Sequence, residues 1–312
     1  MIDIKERYRD HRLAKMERMA QALNARPGRT HSNADSPAVI LPNKLKITLR
    51  TAPVQLAIAK DVERSMTSIG ENPARPRTEA DATFLASMQE QARSLGIAKL
   101  GYVEVAPECI FQGRSVPSVH AIILIMEIDK PPIDKAPSPE TQAIGLISYE
   151  RMGKSTNALV EFLRRSGFAA EAGHPAIGPT LYPRLAVQAG LGWVGRHGML
   201  ITPGFGPRQR ISAIFTSIEN LPVSNENEHE WLKGFCATCG NCVRKCPGKA
   251  IYKEPLVRPA GRLSHIDGGK CISCTVCMKV CSFNVRGYES IRRTHLGQSS
   301  GHPGSSGGTT GP

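Results

Sequence analysis

Eight of the nine cysteines stand in two runs, Cys236-x2-Cys239-x2-Cys242-x3-Cys246 and Cys271-x2-Cys274-x2-Cys277-x3-Cys281. Pro247 follows the first run, and Ser282 stands where a proline would usually follow the second. Thiolates at this density are ligands for iron or zinc, or partners in disulfides. Disulfide frameworks belong to oxidising compartments, and structural zinc takes paired ligands separated by a longer loop. Three ligands at consecutive x2 gaps instead surround one iron–sulfur cube, and the fourth, after x3, reaches the other cluster. The expected rings are therefore Cys236, Cys239 and Cys242 with Cys281, and Cys271, Cys274 and Cys277 with Cys246. They describe two [4Fe–4S] clusters close enough for electron hopping. Cys109 stands apart and reads as a buried free thiol.

A second chemical stretch precedes the cysteines: AGLGWVGRHGMLITPGFGPRQRISAIFT, Ala189–Thr216. Glycines let the backbone come close to a large planar or phosphate-bearing ligand. Arg196, His197, Arg208 and Arg210 supply hydrogen-bond donors beside that surface. The competing reading is a turn-rich sheet edge with solvated arginines.

These groups need a scaffold. Thr78-Glu79-Ala80-Asp81 is a candidate capping box for a helix with Phe84, Met88, Ala92 and Leu95 on one face and Gly96 as its stop. Lys99–Val105 and Ala121–Met126 read as strands. A helix covers about 155–165, a short one covers Pro183–Ala189, and strands follow at Met199–Thr202 and Arg210–Ser217. Alternating helix and strand predicts an α/β or α+β core. Residues 1–30 carry a helical alternation ending near Pro27, and 31–78 show little periodicity beyond a strand at Leu45–Thr51. The predicted organisation is a variable arm over 1–78, a core over 79–230, a cluster domain over 231–290 and a low-complexity, disordered tail over 297–312.

The formal charge of +13 admits nucleic acid, a membrane surface or an acidic protein as partner. The cations are scattered among acids, however, and thiolate-bound clusters would add negative charge. No apolar run reaches the roughly 18 residues of a membrane helix. The N-terminus is too charged for a secretory signal, and no twin-arginine motif is present. A cytoplasmic protein without membrane attachment is expected.

The order of a helix–strand core, GLGWVGRHGMLITPGFGPRQR and a double-cluster run resembles the corrinoid-dependent reductive dehalogenases and their relatives, the epoxyqueuosine reductases, over about residues 79–286. Gly198–Arg210 is close to the dehalogenase pattern, and Trp193 is more like the epoxyqueuosine reductases. The resemblance implies a nitroreductase-like core with a C-terminal ferredoxin-like double-cluster module. It implies cobalamin held near one cluster by Gly192, Arg196, His197, Gly198 and Arg210. It also implies a tyrosine acid with a downstream cation, which puts Tyr149 as the acid, Arg208 as its neighbour and Tyr182 in reserve. A cation beside a phenol stabilises the phenolate left after proton donation. Tyr149 in a helix can also be an ordinary core residue. Epoxyqueuosine reductases instead use an aspartate, and that position falls on Ala176, with only His174 nearby to titrate.

The leading expectation is an iron–sulfur, corrinoid-dependent reductase that cleaves a carbon–halogen or related bond of a small molecule. A ferredoxin or flavodoxin would feed it electrons. The alternatives are an epoxyqueuosine reductase-like enzyme acting on tRNA and a non-catalytic two-cluster electron carrier.

Overall fold

The computed structural model describes residues 26–27, 51–111, 114–224, 226–257 and 263–299. Most of the helix expected over 1–30, most of the strand expected at Leu45–Thr51 and most of the tail lie outside the described residues. Arg26–Pro27, at the expected helix end, instead forms a two-residue pairing with Ser115–Val116.

The core is a four-stranded antiparallel sheet of β1 (Lys99–Glu104), β2 (His120–Glu127), β3 (Ala170–Gly173) and β6 (Gln209–Thr216), in the order β1-β2-β6-β3. The antiparallel pairing places the fold on the α+β side of the expectation. Ala121–Met126 in β2 are nearly inaccessible to solvent. Successive side chains point to opposite faces, so a run apolar at every position must be covered twice. Ile122, Leu124 and Met126 pack with Met88, Met152, Leu159 and Leu163 on one face. Ile123 and Ile125 pack with Tyr182, Leu185 and Phe215 on the other.

Helix α2 (Ala82–Ser94) begins as a capped helix should, but Asp81 is the cap, accepting a hydrogen bond from the Phe84 amide at 2.8 Å. After the short α3 (Lys130–Asp134), the helix expected over 155–165 is the second half of α4, Pro139–Arg165. Its true start is Ser138, whose hydroxyl accepts from the Thr141 amide, with Pro139 in the first turn. Buried polar residues and Gly145 and Gly153 interrupt its apolar stripe, which hides the first half from a periodicity reading. Gly153 is required because any Cβ there would strike the His174 ring, with Cδ2 at 3.0 Å and Nε2 nearer.

The region expected as a variable arm also contributes to the core. Helix α1 (Ala52–Thr67) lies on α4. Ser65 donates to Asn157 Oδ1 at 2.9 Å, and Asn157 Nδ2 donates to the Asp61 carbonyl at 3.0 Å.

Helix α5 (Tyr182–Gln188) ends before Gly190, which has φ +67°. A small hairpin of β4 (Trp193–Val194) and β5 (Leu200–Ile201) follows. The cysteine module comprises α6 (Leu232–Cys239), α7 (Asn241–Lys245), the hairpin β7 (Ile251–Val257) and β8 (Leu263–Ile266), α8 (Val276–Lys279), α9 (Ser282–Val285) and α10 (Tyr288–Ser299). Helix α10 extends three residues into the expected tail. The module has its own core of Leu232, Phe283, Tyr288 and Ile291, joined by Trp231 and Phe235 and by Ile201 from the glycine hairpin. It is pinned to the sheet domain by Lys279 donating to the Ala136 carbonyl at 2.9 Å and Asn284 donating to Asp134 at 3.0 Å.

Candidate functional site

The eight cysteines form two separate rings. Cys246, Cys271, Cys274 and Cys277 border one cavity, and Cys236, Cys239, Cys242 and Cys281 border another. These are the crossed sets expected from the x2-x2-x3 spacing. Among the described residues no three His, Cys, Asp or Glu side chains converge on a point suited to one ion. An iron–sulfur cube takes four thiolates from around a cage, and each of the two cavities is bordered by four cysteines.

Local features of the rings fit iron–sulfur clusters. Ser273 and Thr275, between the thiols of the second run, adopt left-handed conformations at φ +56° and +64°. That conformation costs about 1–2 kcal/mol for a non-glycine residue, so the loop between Cys271 and Cys277 is held bent against its own preference. The Ala250 amide donates to Cys246 Sγ at 3.3 Å, and amides of Phe283 and Asn284 point at Cys281. Burial pushes the Cys277 and Cys281 thiols up to about 12 and Cys242 to about 11. Thiolates here require positive charge in the cage, which iron supplies.

The ring of Cys246 opens into the larger cavity, about 250 Å³. The same cavity is lined by Tyr149, Tyr182, His197, Gly198 and Arg210. Tyr149 sits in the middle of α4, only 5% exposed. The Arg210 guanidinium carbon lies 3.5 Å from its ring centroid, over the face of the phenol. Arg210 is held there by Ser148 Oγ at 2.7 Å and the Gly145 carbonyl at 3.3 Å, both from the turn preceding Tyr149. Burial lowers the Arg210 guanidinium from its ordinary value, and the nearby phenol partly offsets this.

The expected partner of Tyr149 was Arg208, and the structure corrects it. Arg208 donates to Glu127 at 2.7 Å and to the Ile128 carbonyl at 2.8 Å. Arg208 stands one residue before β6 and is taken up by Glu127 and Ile128, whereas Arg210 lies within the strand and reaches α4 at Ser148 and Gly145. The signal for Arg210 was present in the same GPRQR stretch. Ser148 and Gly145, which orient it, had no sequence signal.

The remaining expected residues divide. Gly198, at φ +75°, lines the large cavity with His197. His197 borders both cavities. Its Nδ1 accepts from the Met199 amide at 3.2 Å, and burial lowers it to about 4, so it is neutral with the proton on Nε2. Its ring lies against Gly195, where a Cβ would sit 2.9 Å from His197 Cε1. Arg196 lies at the other ring instead, bordering it and donating to the Ala237 carbonyl at 3.4 Å. Gly192 borders neither cavity. A Cβ there would lie 3.0 Å from the Ile201 carbonyl carbon with the oxygen nearer, so it permits close backbone packing. Tyr182 spends its hydroxyl on the His174 carbonyl at 3.2 Å. His174 is buried and lowered to about 3, outside the cavity wall. Cys109 is a buried free thiol, pushed up to about 11.

Residues 235–285 match the 4Fe-4S dicluster domain family. A tetrachloroethene reductive dehalogenase of Dehalobacter restrictus is 32% identical over 214 residues, 61% of this chain and 37% of that protein. An epoxyqueuosine reductase of Cyclobacterium marinum is 29% identical over 34% of this chain and 37% of its own length. The chain is related to the reductive dehalogenases and the epoxyqueuosine reductases. The fold agrees with that relationship. A solved reductive dehalogenase, described as suggesting a mechanism for B12-dependent dehalogenation, superposes with a TM-score of 0.63 at 21% identity. The superposition covers 79% of this chain and 40% of that one. The chain thus spans well under half the length of the dehalogenases it matches. It carries an iron–sulfur module of the ferredoxin type on an α+β core. Among the described residues no helix is long and apolar enough to cross a membrane.

Proposed function

We propose that this chain forms the core of an iron–sulfur reductase of the reductive dehalogenase type, which removes halogen from a small organic molecule with the help of a corrinoid. The observation that carries the reading is one cavity lined by both a ring of four cysteines and the Tyr149–Arg210 pair. That arrangement brings an electron source and a proton source to the same space. The reaction balances as R–X taking two electrons and one proton to give R–H and halide. A low-potential one-electron carrier protein, of the ferredoxin or flavodoxin type, would deliver the electrons singly.

The chain's own residues have assignable parts in this chemistry. Cys236, Cys239, Cys242 and Cys281 would hold the outer cluster and Cys246, Cys271, Cys274 and Cys277 the cluster facing the cavity. Tyr149 donates the proton from its hydroxyl, and Arg210 stabilises the negative charge left on the phenol. Ser148 and Gly145 keep the guanidinium in place. The apolar wall, including Ile128, Ile211 and Met199, excludes water from the developing charge. A corrinoid, when bound, supplies a two-electron nucleophilic metal centre. A cavity of about 250 Å³ encloses a small aromatic or one edge of such a macrocycle, so His197, Gly198 and Arg210 would hold only that edge. The relative described as B12-dependent supports the corrinoid reading.

Anaerobically reconstituted protein titrated with hydroxocobalamin should change the visible spectrum of the cofactor, and reduced protein should release halide from a halophenol. Eight irons bound without any cobalamin response would leave a two-cluster electron carrier. Turnover of epoxyqueuosine in tRNA without halide release would favour the second family, against which Ala176 at the expected aspartate position counts.

A further inference from the structure

The first cysteine run keeps its proline, and the second has Ser282 in that place. Ser282 is 7% exposed, and its hydroxyl lies 3.1 Å from the sulfur of Cys239, a member of the opposite run. Asn241 Nδ2 approaches the same hydroxyl oxygen at 3.1 Å. The Asn241 Oδ1 in turn accepts from the exposed Arg244. Gly240 makes this possible. It turns the chain at φ +61°, and the Arg244 guanidinium folds over it so closely that a Cβ would sit 2.8 Å from Nη1.

Donor and acceptor roles in this chain have one consistent assignment. Arginine only donates, so the Asn241 oxygen must face Arg244 and its amide nitrogen must face Ser282. That amide occupies the Ser282 oxygen as an acceptor and leaves the hydroxyl hydrogen free. An iron-bound cysteine sulfur is a thiolate and only accepts, so the hydroxyl donates to Cys239. All the bonds run the same way, from surface cation to cluster ligand, and each polarises the next.

We propose that Ser282 raises the reduction potential of the cluster held by Cys236, Cys239, Cys242 and Cys281, through a hydroxyl hydrogen bond to Cys239 that Asn241 and Arg244 polarise from the surface. The inference rests on the reading that this ring holds a [4Fe–4S] cluster. A donor to a ligating sulfur stabilises the reduced, more negative state of the cluster. The other ring has Pro247 in the corresponding place, which has no side-chain donor. The two clusters are thereby made unequal, and the one farther from the large cavity becomes the easier to reduce. Ser282, Asn241 and Arg244 are positioning residues for a potential.

The test is a redox titration followed by electron paramagnetic resonance on the anaerobically reconstituted full chain. Ser282→Ala and Ser282→Pro should each lower the midpoint of one cluster only, by a three- to tenfold change in its one-electron equilibrium, where tenfold is about 59 mV. Ser282→Thr, which keeps the hydroxyl, should hold the original midpoint. Arg244→Ala, at an exposed position, should shift the same cluster in the same direction by less. Should Ser282→Ala fail to load iron, the Arg244→Ala titration decides, and an unchanged midpoint there overturns the inference. Iron at full content with both midpoints unchanged in Ser282→Ala, or an equal fall in both clusters, also overturns it. Wild-type protein carrying zinc would remove the cluster reading itself, an outcome distinct from an unmoved potential.

Discussion

Arg210→Met is the perturbation that bears most directly on the proposed chemistry. A unit charge at 3.5 Å, the distance from the guanidinium carbon to the Tyr149 ring centroid, interacts by about 5 kcal/mol at an effective dielectric near 20. Phenolate charge sits largely on the oxygen, beyond the centroid, which reduces that figure. A desolvated cation over an aromatic face contributes about 2 kcal/mol, and that is the better guide. Removing it should slow halide release about 30-fold, since 1.36 kcal/mol is a factor of ten. The assay is initial-rate halide release with excess reductant, compared at equal iron content so that cluster assembly is not the variable. Arg210→Lys keeps the charge but not the planar stacking and should fall between the two. Arg208→Met is the control. It strips donors from Glu127 and the Ile128 carbonyl and should lower the unfolding temperature while leaving the rate per assembled molecule near wild type. Loss of turnover in Arg208→Met with full activity in Arg210→Met would refute the pairing argued above.

Other measurements reach the rest of the molecule. Cys281→Ser should halve the iron content from about eight to about four and spare the ring of Cys246, because the fourth ligand crosses between runs; loss of both clusters, or of that ring alone, would contradict the crossing. Gly192→Ala should cost about 1–3 kcal/mol of stability by overpacking, read as a lower thermal midpoint without any corrinoid present, because a Cβ there meets the Ile201 backbone. An unchanged midpoint with lost cobalamin binding would return Gly192 to the cofactor site. Burial raises the Glu171 carboxyl to about 7, with Arg164 opposing the rise. The folded state therefore holds that proton more tightly than the unfolded chain, and stability falls as pH rises from about 4.5 to about 7. Glu171→Gln should remove that slope from chemical denaturation curves, worth up to about 3 kcal/mol at pH 8, and a slope that persists would clear Glu171 of responsibility.

Ala121–Met126 was legible as a strand because six consecutive apolar residues demand cover on both sides, and the structure supplies two covering layers. The helix after Asp81 was legible for a similar reason, since its cap and apolar spacing are local signals. The first half of α4 was not. Its buried face uses Thr141 and Ser148, residues that look solvated until a partner is in place. Thr141 donates to the Pro132 carbonyl at 2.6 Å, and Ser148 accepts from Arg210 at 2.7 Å. Helix α1 was hidden for the same reason, because its contacts to α4 are polar and lie about 90 residues away along the chain.

What the linear order of residues settled by itself was ligand chemistry at short range. Two runs of thiols at x2, x2 and x3 gaps match the two-cluster ferredoxin pattern, in which the fourth cysteine of each run ligates the other cluster. What packing decided was every relation between distant segments. Whether Arg208 or Arg210 meets Tyr149 depends on where α4 crosses the start of β6: Arg208, just before the strand, is held by Glu127 and Ile128, and Arg210, inside it, reaches Ser148, Gly145 and the Tyr149 ring. The bond from Ser282 to Cys239 likewise exists only because the two cysteine runs fold against each other, bringing a hydroxyl from one beside a sulfur of the other.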